Sequence, residues 1–293
     1  MNDPDEFNTI TLSVIVPVYR RTDWIGRCLA ALASQDGPEF FEVIVVDDGS
    51  PNEQEICEAV AHAPVRPGVS VRFFRKQNAG PAAARNFAVN RSSGTILCFL
   101  DDDSIPQHNW LKEIVKPLVD DPELSVVSGQ ILSHDRDCRL PLMLEQSIYR
   151  GAHWATCNIA YRRETFEALG GFDEQFREAS WEDNDLGLRA RWAGYRQFHN
   201  LGAVVFHPHE RSLEEYRRKC HINGRGAATF SKKYAFRKPL WAVATPVIVS
   251  RFLVLAMAPS SLKKELSPAY LKFLWSYNSL KGFMDVMLGT SCE

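Results

Sequence analysis

Among its 293 residues the sequence has no CxxC pair, a formal net charge of only -2, no internal repeat and no low-complexity tract. Each absence removes a class of protein. Without a concentrated basic surplus there is no global reason to expect nucleic acid as a partner, because that binding depends on counterion release at a basic face. Seven cysteines stand singly, at Cys28, Cys57, Cys98, Cys138, Cys157, Cys220 and Cys292, several of them inside apolar runs. Such scatter reads as reduced thiols and argues against a disulfide frame or a zinc site. The opening "MNDPDEFNTI" is acidic and has no apolar stretch, so no secretory signal is expected and a cytoplasmic location is. The apolar run "PLWAVATPVIVSRFLVLAMAP" is interrupted by Pro246 and Arg251. It makes a poor spanning helix, since crossing takes about 20 uninterrupted apolar residues.

What is present is an ordinary globular composition, 45% hydrophobic and 24% charged, in a length that suits one large α/β domain or two small ones. Four short apolar runs, Leu12 to Tyr19, Phe41 to Asp48, Val71 to Lys76 and Thr95 to Asp102, are separated by helix-like segments. That alternation is the signature of a parallel sheet in an α/β layer fold. The connector from Asp23 to Ser34 sets Trp24, Ile25, Cys28, Leu29 and Leu32 on one helical face. Pro81 suits the first turn of another helix. From about Leu124 the alternation weakens, and a further short strand, "GAVVFHPH", leads to Ser212 and Glu215, a capping box opening a charged helix.

Ligands of open parallel sheets bind beyond the carboxyl ends of the strands, and two acidic clusters fall there: Asp47 and Asp48, then Asp101 to Asp103. Turn chemistry alone can explain Asp-Asp-Gly-Ser, and three aspartates can be a solvated loop end. Two such clusters on one sheet edge point instead to a bound cation and an anionic ligand. In an extended segment Asp101 and Asp103 face one side and Asp102 the other. A pair of carboxylates suits Mg2+ or Mn2+, which complete their shells with waters and substrate phosphates.

Six stretches, "VIVPVYRR", "VIVVDDGS", "QNAGPAAARNFAV", "GTILCFLDDD", "CNIAYRRETFEALGGFDEQF" and "WEDNDLGLRARWAGY", resemble in order and spacing the family 2 glycosyltransferases. The resemblance runs from about Leu12 to His209. It implies a GT-A fold: a Rossmann-like, mostly parallel sheet with flanking helices and an acceptor-side subdomain, here followed by a C-terminal helical tail. The implied boundaries are 10–210 for the catalytic domain, with a nucleotide-binding half at about 10–104 and an acceptor half at about 105–210, then 211–293 for the extension. It implies an inverting, metal-dependent enzyme of hexosyltransferase type that moves a sugar from a UDP, GDP or dTDP sugar to a hydroxyl acceptor.

By the same resemblance Asp48, with Asp47 beside it, contacts the nucleotide base, and Pro17, Val18 and Tyr19 line that pocket. Asn78 and Arg85 lie near the nucleotide or diphosphate. Asp101, Asp102 and Asp103 form the DXD segment, with Asp103 the stronger metal ligand and Asp101 a ligand or ribose contact. His207 approaches the metal, with His209 a near rival. Asp183, in the acidic pair with Glu182, is the implied base, taking the acceptor hydroxyl's proton. Carboxylates at 182, 183 and 185 also suit a helix N-terminus, and both readings hold together. Trp181, Trp154 and Asn158 are acceptor-side candidates, although large aromatics are more often packing, and Asn158 equally suits backbone positioning.

From Arg211 to Lys238 nine Lys or Arg face two Glu, and an apolar run follows at once. A basic segment beside an apolar one over 211–260 suits the inner face of an anionic membrane, and with it a lipid-linked or envelope glycan as acceptor. The same residues would also serve as helices packed on the catalytic domain or across a homodimer. Two other functions remain: a catalytically silent nucleotide- or glycan-binding relative, and a nucleotidyltransferase, which "VIVPVYRRTDW" disfavours because it lacks a glycine-rich phosphate loop.

Overall fold

The structure is a computed structural model, and it describes residues 11–133, 154–208, 212–234 and 268–288. These divide into two compact units. The first holds 11–133, 154–177 and 183–208; the second holds 178–182 and the described residues from 212 onward.

The first unit is built on an eight-stranded sheet. β1 (Leu12–Val18), β2 (Phe41–Asp47), β3 (Val69–Arg75) and β4 (Ile96–Phe99) are the four expected strands, and they lie parallel in the order β3-β2-β1-β4. In β1, β2 and β4 the valines and isoleucines are buried on both faces, as a central parallel sheet requires, while Val69 and Val71 of the outer strand β3 are half-buried. Pro17 fits within β1 because β4 pairs only as far as Ile15, so the missing N–H leaves no gap on that side. Val14, Val16 and Val18 point to the face covered by α1 (Thr22–Ala33) and α4 (Trp110–Asp120). Ile15 points to the other face, covered by α3 (Pro81–Val89), α5 (Arg163–Ala168) and α6 (Glu182–Trp192). The α1 stripe buries Ile25, Cys28, Leu29 and Leu32. Trp24 is only half-buried at its edge, where the Arg27 guanidinium lies 5.3 Å from its ring. A short α2 (Glu53–Ala61) completes the parallel half.

Beyond β4 the sheet becomes mixed. β7 (Ile159–Arg162) inserts antiparallel between β4 and β6 (Leu124–Ser133), β8 (Arg196–His207) runs parallel to β6, and β5 (Ile105–Pro106) caps the edge. The short strand expected at "GAVVFHPH" is the end of this 12-residue strand. Its first half was hidden because its apolar residues Phe198 and Leu201 are exposed among polar ones and a register shift falls between Gly129 and Gln130 of its partner.

Asn158 locks the mixed half together, and this corrects its placement among the acceptor contacts. Its side chain is 0% exposed. Oδ1 accepts from Trp110 Nε1 at 2.8 Å, and Nδ2 donates to Gln130 O and Ala203 O at 2.8 and 2.9 Å. No face is left for a sugar. Asn158→Ala would strand a buried indole N–H and two buried carbonyls, so it should lower the unfolding free energy by roughly 3 kcal/mol, read from urea denaturation; a change below about 1 kcal/mol would contradict this bonding pattern.

In the second unit α7 (Leu213–Tyr234) lies against α8 (Pro268–Leu288). The Ser212 hydroxyl accepts the Glu215 N–H, one half of the expected capping box. Glycines permit close backbone approach: a Cβ on Gly224 would sit 1.8 Å from Ser279 O, and one on Gly282 2.0 Å from His221 O. Trp181, left-handed at φ 71°, donates from Nε1 to Asn223 Oδ1 and packs 5.0 Å from the Phe230 ring. Its indole thus takes part in this unit's packing. Among the described residues no helix is long and apolar enough to cross a membrane. The interrupted apolar run, and His209, lie outside the described residues.

Candidate active site

The first unit gathers its acidic residues where strand ends meet. β4 stops at Phe99, and residues 101–104 form a turn closed by Ser104 N–H to Asp101 O at 3.1 Å. The side-to-side alternation expected of an extended segment therefore does not apply. Arg21, just past β1, reaches both Asp102 and Asp103, the first at 3.2 Å. Arg85 of α3 holds Asp101 at 2.7 Å from a position stacked 5.7 Å over Phe172. Asp102 and Asp103 are buried, whereas the Asp101 side chain keeps 27% of its surface. Burial and the neighbouring charges of Asp103 and Asp101 hold the Asp102 carboxyl well above the usual carboxylate range, with Arg21 pulling the other way. The cluster carries more negative charge than it can hold comfortably.

His207 joins this cluster from the end of β8. Nε2 lies 3.2 Å from Asp103 Oδ1, and Nδ1 lies 2.7 Å from Pro208 O. A carbonyl can only accept, so Nδ1 carries the proton. In the neutral imidazole Nε2 then turns a lone pair toward a carboxylate, an arrangement that a shared cation relieves. Donor atoms of Asp101, Cys157 and His207 also lie within 4.8 Å of one another. Carboxylates, imidazole and thiol converging in this way fit a divalent transition-metal ion.

Cys157 is the site residue that sequence reading missed. It is buried, and its thiol is raised well above the usual range by burial first, then by Asp101, Asp103 and Asp183. Only the antiparallel pairing of β4 with β7, invisible in sequence, brings it here.

Asp183, at the start of α6, remains partly exposed. Its Oδ1 accepts from the Asn184 N–H and Nδ2 at 2.7 and 2.9 Å. Burial, reinforced by Asp101, raises its carboxyl above the ordinary range, against the pull of Asn184 and Arg85. Two residues on, Asp185 is 0% exposed and tied to Arg189 at 2.8 Å, which also donates to Leu169 O and Gly171 O. Asp185 braces the helix. Glu182 is buried and groups with the second unit.

The first acidic pair turns inward. Asp47, 0% exposed, accepts from the Ser50 N–H and hydroxyl. Asp48 accepts from Lys76 Nζ at 2.8 Å and from the Ala79 and Gly80 N–H groups. This corrects the direct nucleotide contact assigned to Asp47: its carboxylate shapes the loop. Asn78 donates to Asp48 O and, with Gly49, Arg75, Lys76 and Gln77, lines an open pocket beside that loop. Tyr19 is exposed at 39% while Val18 is buried and Pro17 half-buried. Trp154 Nε1 donates to Gln197 Oε1 at 2.7 Å, and its ring stands where a Cβ on Gly187 would be, 2.0 Å away. Trp154 therefore packs against α6.

Comparison with known proteins places this geometry in context. Residues 13–172 match the family described as glycosyl transferase family 2. The glycosyltransferase AglE of Haloferax volcanii is 30% identical over 225 residues, which cover 73% of this chain and 72% of that protein. Against several other relatives the chain spans only 14 or 15% of their length. The mannosyltransferase PcManGT from Pyrobaculum calidifontis, solved with GDP-Man and Mn2+, superposes with a TM-score of 0.69 at 20% identity over 99% of this chain and 90% of that one. TarS 1-349 of S. aureus, solved with UDP-GlcNAc, superposes with a TM-score of 0.53 at 19% identity over 96% and 92%. At such identities the likeness is one of fold.

Proposed function

This chain belongs to glycosyl transferase family 2 and has a GT-A fold, and from that premise we propose that it moves a hexose, with inversion, from a nucleotide diphosphate sugar to a hydroxyl acceptor. The observation that carries the proposal is Asp183, a partly exposed carboxyl of raised pKa within electrostatic reach of Asp101 and Arg85. With Oδ1 taken by Asn184, Oδ2 is the oxygen that accepts the acceptor hydroxyl's proton. Asp101, Asp103 and His207 would hold Mn2+ or Mg2+, which offsets negative charge on the departing diphosphate. Arg85 keeps Asp101 oriented for that task. Binding of GDP-Man with Mn2+ by PcManGT and of UDP-GlcNAc by TarS supports a nucleotide-sugar donor.

The test is donor binding and hydrolysis across UDP, GDP and dTDP sugars, with and without Mn2+. Metal-dependent selection of one nucleotide is the expected result. Failure of every donor to bind or turn over would favour a catalytically silent relative. The pH profile is a second check. Asp183 acts as base only when ionised, so kcat/KM should rise with pH along a limb lying above the usual carboxylate range. An acid limb at ordinary carboxylate values would point to a different base.

The acceptor is a lipid-linked or envelope glycan at an anionic membrane surface. Exposed Arg217, Arg218, Lys219, Lys232 and Lys233 on α7 support this, as do exposed Tyr277, Met284 and Met287 on α8. The full chain should co-sediment with phosphatidylserine vesicles and much less with neutral ones, losing the interaction at high salt. Equal recovery with both would favour packing or dimer formation by these helices.

A further inference from the structure

We propose that Cys157 is a metal ligand of this site and that its sulfur sets the preference among divalent cations. The proposal rests on the metal reading given above and adds to it a donor that the sequence motifs did not single out. β4 and β7 pair antiparallel with Phe99 opposite Ile159. Asp101 leaves β4 two residues after Phe99 and Cys157 enters β7 two residues before Ile159, so both lie at the same end of this strand pair. His207 arrives from β8, held at Ser133 of β6 and beside Ile105 of β5. The thiol, carboxylate and imidazole donor atoms all lie within 4.8 Å of one another. Donors of one cation bound at about 2.0 to 2.3 Å lie roughly 3 to 4.6 Å apart, so side-chain movement brings a set within 4.8 Å of one another onto a shared ion.

A buried cysteine is ordinarily a small apolar residue. Cys157 has that environment on one side only, against Ile131 and Ala155. On the other it is in the field of Asp101, Asp103, Asp183 and Arg85, which no packing role needs. On binding, the sulfur–metal bond forms as the thiol proton leaves to water, and no electron is transferred. A thiolate is softer than any oxygen donor, so it favours Mn2+, Co2+ or Zn2+ over Mg2+.

Cobalt reads this directly. Co2+ is titrated into the full chain with GDP and, separately, UDP present, and its absorption spectrum is followed. The expected result is ligand-field bands together with a thiolate-to-cobalt charge-transfer band in the near ultraviolet. In Cys157→Ser the charge-transfer band is lost, the ligand-field bands stay, and Co2+ affinity falls at least about tenfold while Mg2+ affinity changes less than about twofold. Cys57→Ser, which removes an exposed thiol, should keep the band. Ligand-field bands without charge transfer in the wild type overturn the cysteine's role and leave the metal reading standing. So does a band that survives Cys157→Ser or disappears in Cys57→Ser. No cobalt spectrum with either nucleotide overturns the metal reading and this inference together.

Discussion

Asp183→Asn should reduce sugar transfer by about a thousandfold, within the range lost with a general base, while nucleotide-sugar affinity stays within about twofold of wild type. The amide oxygen can still accept the Asn184 N–H that now holds Oδ1, so the first turn of α6 keeps its bonding. What the variant lacks is an oxygen able to take a proton. Stability should hold or rise slightly, because the raised pKa shows that the surroundings already disfavour the ionised carboxylate. A calorimetric titration with donor and a transfer assay on the same preparation separate the two effects. Transfer within tenfold of wild type would remove Asp183 from the reaction. Loss of donor binding would make it a binding residue.

Asp103→Ala should be comparably severe and different in kind. It removes a carboxylate shared by Arg21 and His207, so Mn2+ should no longer raise nucleotide affinity, and transfer should fall by about a thousandfold or more. Folding should survive the change, since one of three crowded anions is gone and Arg21 retains Asp102. The pH dependence of stability gives an independent reading. A carboxyl whose folded pKa is raised binds more protons folded than unfolded. Its stabilisation is thus full below the ordinary carboxylate value and is lost as pH rises toward the raised value. For Asp102 in the metal-free wild type this predicts falling stability from the carboxylate range upward. In Asp103→Ala the slope should flatten. An unchanged slope, or manganese dependence as in wild type, would contradict the roles given to this cluster.

How far the sequence could be read depended on whether the physics was local. Strands β1, β2 and β4 announced themselves as apolar runs because a parallel strand covered on both faces tolerates little else, and the outer strand β3 by alternation. Pro81 marked its helix through fixed backbone geometry. Asp101 to Asp103 stood out because charge beside an apolar run costs free energy that something must offset, whereas His207 came only from the resemblance. Local pattern failed where the answer lay across the sheet. The inward use of Asp47 by Ser50, the buried bonding of Asn158 and the approach of Cys157 to Asp101 depend on partners set by tertiary register. The tryptophans stayed open for a related reason: an indole fills a cavity as readily as it stacks on a sugar, and only neighbours such as Gly187 and Phe230 show its packing.

The antiparallel insertion of β7 and the late arrival of β8 also bear on synthesis. Asp101, Cys157 and His207 meet only after strands far apart in the chain have paired. The edge pair Ile105 with Phe206 cannot form until nearly the whole first unit has been made. Such contacts, remote in sequence, are slow to form because a long loop must close before they stabilise anything. A ribosome-bound chain that has released only β1 to β4 can carry the parallel half of the sheet, but it lacks Cys157, Asp183 and His207. Activity on the ribosome should therefore switch on in one step, when the segment through residue 207 clears the exit tunnel.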